Sequence, residues 1–228
     1  MYSEILLSKP ITADYVNSRM AGVYKHMGLA VLVSMLVSYS VSSVPPLMAF
    51  FFTGWMQYVT IFLPLVAVLG MTFALKADPP KEIAQLMLLS FSVIMGLSFA
   101  SIFAIYKMGS IFTAFMGAGV LFGTMSFYGY FTKRSLDSFG KFLFVGLIAI
   151  VIASIINIFI GSSVAQMVIS ALAILIFTGL TAYDTQKIRE IIMEGMDDNV
   201  EVVGALTLYL DFINIFLSLL QLFGDKKD

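Results

Sequence analysis

Residues 27–75 pass without one formal charge, and so do 83–106, 108–132 and 142–183. A last apolar stretch, 202–224, carries a single one, Asp211. None of these runs alternates with period two, so a transmembrane barrel is excluded. Pro45-Pro46 and the Thr53-Gly54 pair divide the first run, and Gly161-Ser162-Ser163 divides the run at 142–183. Proline cannot continue a helical hydrogen-bond ladder, and Gly/Ser clusters punctuate helices. The pieces are 27–44, 55–75, 83–106, 108–132, two from 142–183, and 202–224. Each comes close to the roughly 17–25 residues needed to cross a hydrocarbon core. The pattern predicts an all-α integral membrane fold with seven transmembrane helices. It divides the chain into an amino-terminal segment 1–26, a single membrane domain 27–224 and a charged tail 225–228.

The last segment carries a second pattern. Gly204, Thr207, Asp211, Asn214, Ser218 and Gln221 recur at intervals of three and four, which gathers them on one helical face. Leu208, Ile215, Phe216 and Leu219 fall on other faces. A polar stripe on a membrane helix turns toward protein or water, so the other helices are expected to surround this one. Thr178, Thr181, Asp184 and Thr185 cluster in the same way at the end of the preceding segment. The short connection between the two makes them antiparallel.

Composition agrees with a lipid solvent. The chain has 228 residues, 60% hydrophobic and 12% charged, about half the charged share of a soluble domain. The net charge of −1 leaves no basic patch for phosphate contacts, so nucleic acid is not an expected partner. With no cysteine, thiolate metal sites, disulfides and Cys nucleophiles are excluded. The first 25 residues lack the apolar centre of a signal peptide, so the first helix is expected to direct insertion. Lys9, Arg19, Lys25, Lys76, Lys81, Lys133, Arg134, Lys141, Lys187 and Arg189 then fall on one side. Lys107, Lys226 and Lys227 fall on the other. The bias predicts a cytoplasmic amino terminus in a cell (inner) membrane. A re-entrant last segment would instead return the tail to the cytoplasm.

Asp184 and Asp211 carry the candidate chemistry. An aspartate at mid-membrane costs about 2.5–3.5 kcal/mol on insertion scales. Two together cannot both ionise cheaply, so a shared proton or a bound cation is the natural relief. The plainer alternative leaves Asp184 reaching interfacial water and Asp211 hydrogen-bonded within the bundle. Tyr183, Thr181, Thr207 and Asn214 are the expected supporting polar groups.

Several stretches resemble the Bax inhibitor-1 family of multipass membrane proteins: "GLTAYDTQKIR" (179–189), "SFYGYFTKRSLDSFGKFL" (126–143), "NIFIGSS" (157–163), "LSFASIFAIY" (97–106) and "GALTLYLDFINIFLSLLQLFG" (204–224). The resemblance covers nearly the whole chain and is of the prokaryotic type. It implies seven helices, six enclosing the last, and a pH-sensitive calcium leak with an aspartate pair as sensor. Those two positions match Asp184 and Asp211. Calcium would be a permeant ion, held transiently by the two carboxylates, and no cofactor is implied. Animal and plant members are described as suppressors of cell death, and some bacterial relatives as modulators of a membrane protease, which is therefore a possible partner. One departure is notable: some members hold the first aspartate with an arginine on the second helix. Here that helix has none, and Lys76 is its nearest cation.

Rival readings fare less well. Intramembrane aspartyl proteases also use a Tyr-Asp pair, as at Tyr183-Asp184, but their second aspartate follows Gly-x-Gly, and here Leu208-Tyr209-Leu210 stands before Asp211. A serine protease needs a Ser–His dyad, and the only histidine, His26, is expected at the interface beside Lys25. The fifteen methionines are scattered singly, which suits packing better than a soft-metal route. Gly119 and Gly123 are expected at a close helix contact, Trp55 and Tyr58 at an interfacial belt. The acidic run 190–201 reads as a solvated loop. No enzymatic activity is expected.

Overall fold

A computed structural model describes residues 12–195 and 199–227. Eight helices follow in order: α1 (Ala13–Ser42), α2 (Pro45–Phe52), α3 (Met56–Leu75), α4 (Lys81–Ile105), α5 (Met108–Phe131), α6 (Asp137–Ile160), α7 (Ser163–Glu194) and α8 (Val200–Phe223). All but α2 are long and apolar enough to cross a membrane. Lys9, Asp197 and Asp198 lie outside the described residues, as do 1–11 of the amino-terminal segment and the last residue of the tail.

Two boundaries differ from the expectation. Helix α1 begins at Ala13, not near 27. The Thr12 hydroxyl caps it by accepting from the Tyr15 amide at 3.2 Å. Residues 13–26 carry charges, so hydropathy ends too early. Yet Val16, Met20, Val23 and Met27 recur at helical spacing and are all buried. Second, Pro45-Pro46 starts a helix instead of merely ending one. Proline at the first helical positions costs no hydrogen bond there, so the short α2 forms between α1 and α3. Pro64 sits inside α3, which membrane helices tolerate.

Helix α8 is the most buried of the spanning helices. It packs against α7, α1, α5 and, more lightly, α4, while α3 rests chiefly on α4, and α6 chiefly on α7. Four helices thus make the main lining of α8, with α3 and α6 standing outside. The polar stripe of α8 faces α7: a side chain at Gly204 would meet Ile188, and Gln221 accepts from Gln166 and Ser170 at 2.8 and 3.1 Å. Its other faces carry Leu208, Tyr209 and Ile215, all fully buried. Aromatic edge contacts tie Phe212 to Phe115 and Phe122, and Phe216 to Phe115.

The tail fixes where α8 ends. Lys107 N–H donates to the Asp225 carbonyl at 2.9 Å, and Lys227 N–H to the Ile105 carbonyl at 2.8 Å. Tyr106 and Lys226 form a short antiparallel bridge. The end of α8 therefore sits at the α4–α5 turn, across the bundle from the α7–α8 connection. A re-entrant last segment is excluded. The end holding the α3–α4, α5–α6 and α7–α8 connections is called the basic end below, and its opposite the tail end.

Close helix contacts use glycine, but not the expected ones. A side chain at Gly119 or Gly123 would meet open space, so neither lies at a helix interface. The closest approach is at Gly129 of α5, where a Cβ would come within 2.1 Å of the Ala182 carbonyl oxygen of α7. Gly96 is similarly pressed on α1, 2.7 Å from the Ser34 carbonyl. Trp55 and Tyr58 are largely exposed, as interfacial anchors would be.

Candidate functional site: an aspartate pair in the bundle

Helix α7 is 32 residues long, about 48 Å at 1.5 Å per residue, and so outruns a hydrocarbon core of roughly 30 Å. Its projecting end is tied down at the basic end. Gln186 accepts from the Leu136 amide at 2.8 Å and donates to the Arg134 carbonyl at 2.9 Å. Arg189 donates to the Tyr130 carbonyl at 3.1 Å and lies over the Tyr130 ring. These bonds to α5 and the α5–α6 connection hold this end of α7 in place, with the half-buried Asp184 two residues before Gln186. Asp211 is midway along the 24 residues of α8.

The antiparallel pairing of α7 and α8 brings the two carboxyl groups near enough to interact with each other. Asp184 is half-buried, and Asp211 is 4% exposed. Oδ2 of Asp211 is buried and has no hydrogen-bond partner among the described residues. No salt bridge among those residues involves either aspartate, and Lys76 lies over the Phe73 ring instead. A buried carboxylate oxygen without a donor is costly. A proton held between the two groups turns one of them into a donor, and a cation would serve both.

The expected supporting groups are arranged otherwise. Thr181 donates to the Phe177 carbonyl at 2.8 Å, Thr207 to the Val203 carbonyl at 3.1 Å, and Asn214 to the Leu210 carbonyl at 2.8 Å. Each bonds its own helix backbone four residues back. Tyr183 packs its ring over Gly140 of α6. Among the described residues no group of three or more His, Asp or Glu gathers to hold a metal ion. The pair offers at most two carboxyl ligands, where calcium takes 6–8 oxygens.

Three polar assemblies were not expected from the sequence. At the basic end Glu201 is buried in the first turn of α8, not solvated in a loop. Its carboxylate meets Arg19 of α1 at 2.8 Å and Lys81 of α4 at 3.1 Å, with His26 at 3.9 Å. His26 therefore does not stand at a helix start; it sits inside α1, its ring on the Gly22 carbonyl at 2.8 Å. Nearer the pair, Tyr24, Ser126 and Thr185 form a hydroxyl chain with steps of 2.6 and 3.0 Å. Above it, Ser34 joins the Tyr209 hydroxyl at 2.7 Å and donates to the Ser92 carbonyl at 2.9 Å. Helix α1 contributes to all three, and its Arg19 and His26, seven residues apart on one face, were the available signal.

A sequence profile described as Inhibitor of apoptosis-promoting Bax1 matches residues 16–228. The chain belongs to that Bax inhibitor-1 family. It is 34% identical over 219 residues to Inner membrane protein YbhL of Escherichia coli strain K12, covering 93% of each chain. An uncharacterized protein of Borreliella burgdorferi is 37% identical over 221 residues, covering 93% of this chain and 94% of that one. An uncharacterized membrane protein of Streptococcus pyogenes serotype M1 is 33% identical over 222 residues, covering 92% and 93%. With seven spanning helices and these relatives, this Bax inhibitor-1 family chain is a multipass membrane protein in contact with lipid.

Proposed function

We infer that the chain is a proton-sensitive calcium leak of the cell (inner) membrane, with Asp184 and Asp211 as sensor and part of the permeation barrier. The single observation that carries this reading is the meeting of the two carboxyls inside the bundle, with Oδ2 of Asp211 buried and donorless. Such a pair competes for protons and cations at one place. Deprotonated, it attracts a divalent cation; protonated, it releases one. Two carboxyl ligands suit a passing ion better than a resident one. Nothing beyond protons and the permeant ion is required, and no catalytic step is assigned. The charge bias along the chain supports an amino terminus on the cytoplasmic side.

The test is calcium entry into liposomes carrying the purified protein, followed over a range of pH. Asp184→Asn and Asp211→Asn should each flatten the pH response. An unchanged response in both variants removes the sensor assignment. Cleavage of a membrane peptide that either substitution abolishes would point instead to a protease. Absence of both flux and cleavage, with a membrane protease co-purifying, would point to a modulator of that enzyme.

A further inference from the structure

In the arrangement described, neither water nor an ion can touch Oδ2 of Asp211. A cation reaches that oxygen only after a helix moves. Helix α7 is tied down: Gln186 and Arg189 fasten its end to α5 and the α5–α6 connection, and Gly129 of α5 is pressed on its Ala182 carbonyl. What holds α8 therefore decides when the pair opens.

The two ends of α8 are held differently. At the tail end the bonds run between backbones, from Lys107 N–H to the Asp225 carbonyl and from Lys227 N–H to the Ile105 carbonyl. At the basic end the bonds to other helices and turns are made by side chains. Asn199 donates to Asp78 Oδ1 and to the Pro79 carbonyl, both at 2.8 Å. Glu201 brings the charge, meeting Arg19 of α1 at 2.8 Å and Lys81 of α4 at 3.1 Å, with His26 at 3.9 Å. A hollow in α1 is shaped for this carboxylate. A Cβ at Gly22 would stand 2.7 Å from the Glu201 carboxyl carbon and 2.9 Å from Oε2, so a residue without a side chain is needed there.

At 8% exposure the carboxylate is stable only while its cations face it, because an unpaired buried charge is costly. Once it leaves them it must find water, and the first turn of α8 goes with it. Glu201 is ten residues from Asp211 on one continuous helix, about 15 Å along the axis. With the tail end as pivot, a displacement of Glu201 carries Asp211 about half as far. We propose that Glu201 is a lock: its ion pairs with Arg19 and Lys81 hold α8 where Asp211 is sealed, and its release frees the basic end of α8 and opens the pair. As the gate of a calcium leak the lock rests on the function inferred above; as a control of access to Asp211 it does not.

Reaction of Asp211 with a water-soluble carbodiimide tests this without recourse to flux, read by mass spectrometry on the full-length protein in lipid nanodiscs. In the unaltered chain the reaction should be slow. Glu201→Gln keeps the side-chain size and removes the charge, and should speed it about tenfold, the worth of one hydrogen bond to a charged group. Gly96→Ala overpacks α4 on the Ser34 carbonyl of α1 and leaves the lock alone, so Asp211 should stay protected. The chain has no cysteine, and a Cβ at position 22 would lie 3.1 Å from Glu201 Cγ, a separation that a disulfide can span. Gly22→Cys combined with Glu201→Cys should therefore protect Asp211 when oxidised and react like Glu201→Gln when reduced. Calcium entry into liposomes should follow the same order. Fast reaction in the unaltered chain, no change in Glu201→Gln, an equal rise in Gly96→Ala, or indifference to the disulfide would each overturn the lock. The expected Asp211 rates without calcium entry in any variant would uphold the lock and remove the calcium reading.

Discussion

Helices α6 and α8 are each 24 residues long, and both were legible as membrane spans. They occupy opposite places. In the most apolar window of each, 17% of α6 is buried against 67% of α8. Helix α6 is the more uniformly apolar and turns Ile158, Phe159 and Ile160 outward. Helix α8 carries Glu201, Asp211, Asn214 and Gln221, and lies inside. In water the ranking would be reversed. In lipid, apolar surface gains little by leaving the solvent, so close packing and the needs of polar groups decide which helix is enclosed. The bundle is sorted by polarity, with α8 inside because α7 and α1 satisfy what lipid cannot.

Substitutions sharpen that contrast, and the charged end of α8 should respond most. Glu201→Ala removes the carboxylate that Arg19 and Lys81 share. Losing the buried carboxylate that holds a part-buried Arg19 and an exposed Lys81 should cost about 1.5–3 kcal/mol, read as a fall in thermal midpoint in detergent. Asp137→Ala in the first turn of α6, whose half-exposed carboxylate faces Lys187, should change stability by less than about 0.5 kcal/mol. Comparable losses from the two would mean the basic end is not organised around α8.

Close packing provides the next step down. Gly129→Ala forces α5 away from the Ala182 carbonyl of α7, for which overpacking costs of about 1–3 kcal/mol are usual. Gly123→Ala points into open space and should be neutral or slightly stabilising in the same melt. The smallest contrast should come from Tyr209→Phe, which keeps the ring against Phe91 and removes only the bond to Ser34. A loss near 1 kcal/mol is expected, against none for Phe159→Ala on the exposed face of α6.

Much of this arrangement could be read from the chain alone, and the exceptions share a cause. Uninterrupted charge-free runs located the spans because a bilayer imposes a length that few other constraints imitate. The Asp184–Asp211 meeting was legible because a short connection forces α7 and α8 antiparallel, which fixes their register. Residues 13–26 were set outside the membrane domain because Asp14, Arg19 and Lys25 mask a buried stripe of Val16, Met20 and Val23. Glu201 was read as loop because its acidic neighbours are local, whereas Arg19 lies 182 positions away. The spacing of Gly119 and Gly123 was correct for a close contact. Which face of α5 meets another helix is set by the bundle, and that face carries Gly129.

The account depends on Asp184 and Asp211 sensing each other's proton. Infrared spectroscopy of the carboxyl bands of the protein in lipid, titrated with acid, measures this directly. Bands lost in Asp211→Asn identify the Asp211 signal. In the Asp184→Asn variant that signal should titrate at a pH displaced by about one unit or more from its place in the unaltered chain, as expected for strongly coupled sites. An Asp211 signal that titrates at the same pH with or without the Asp184 carboxylate would contradict the account.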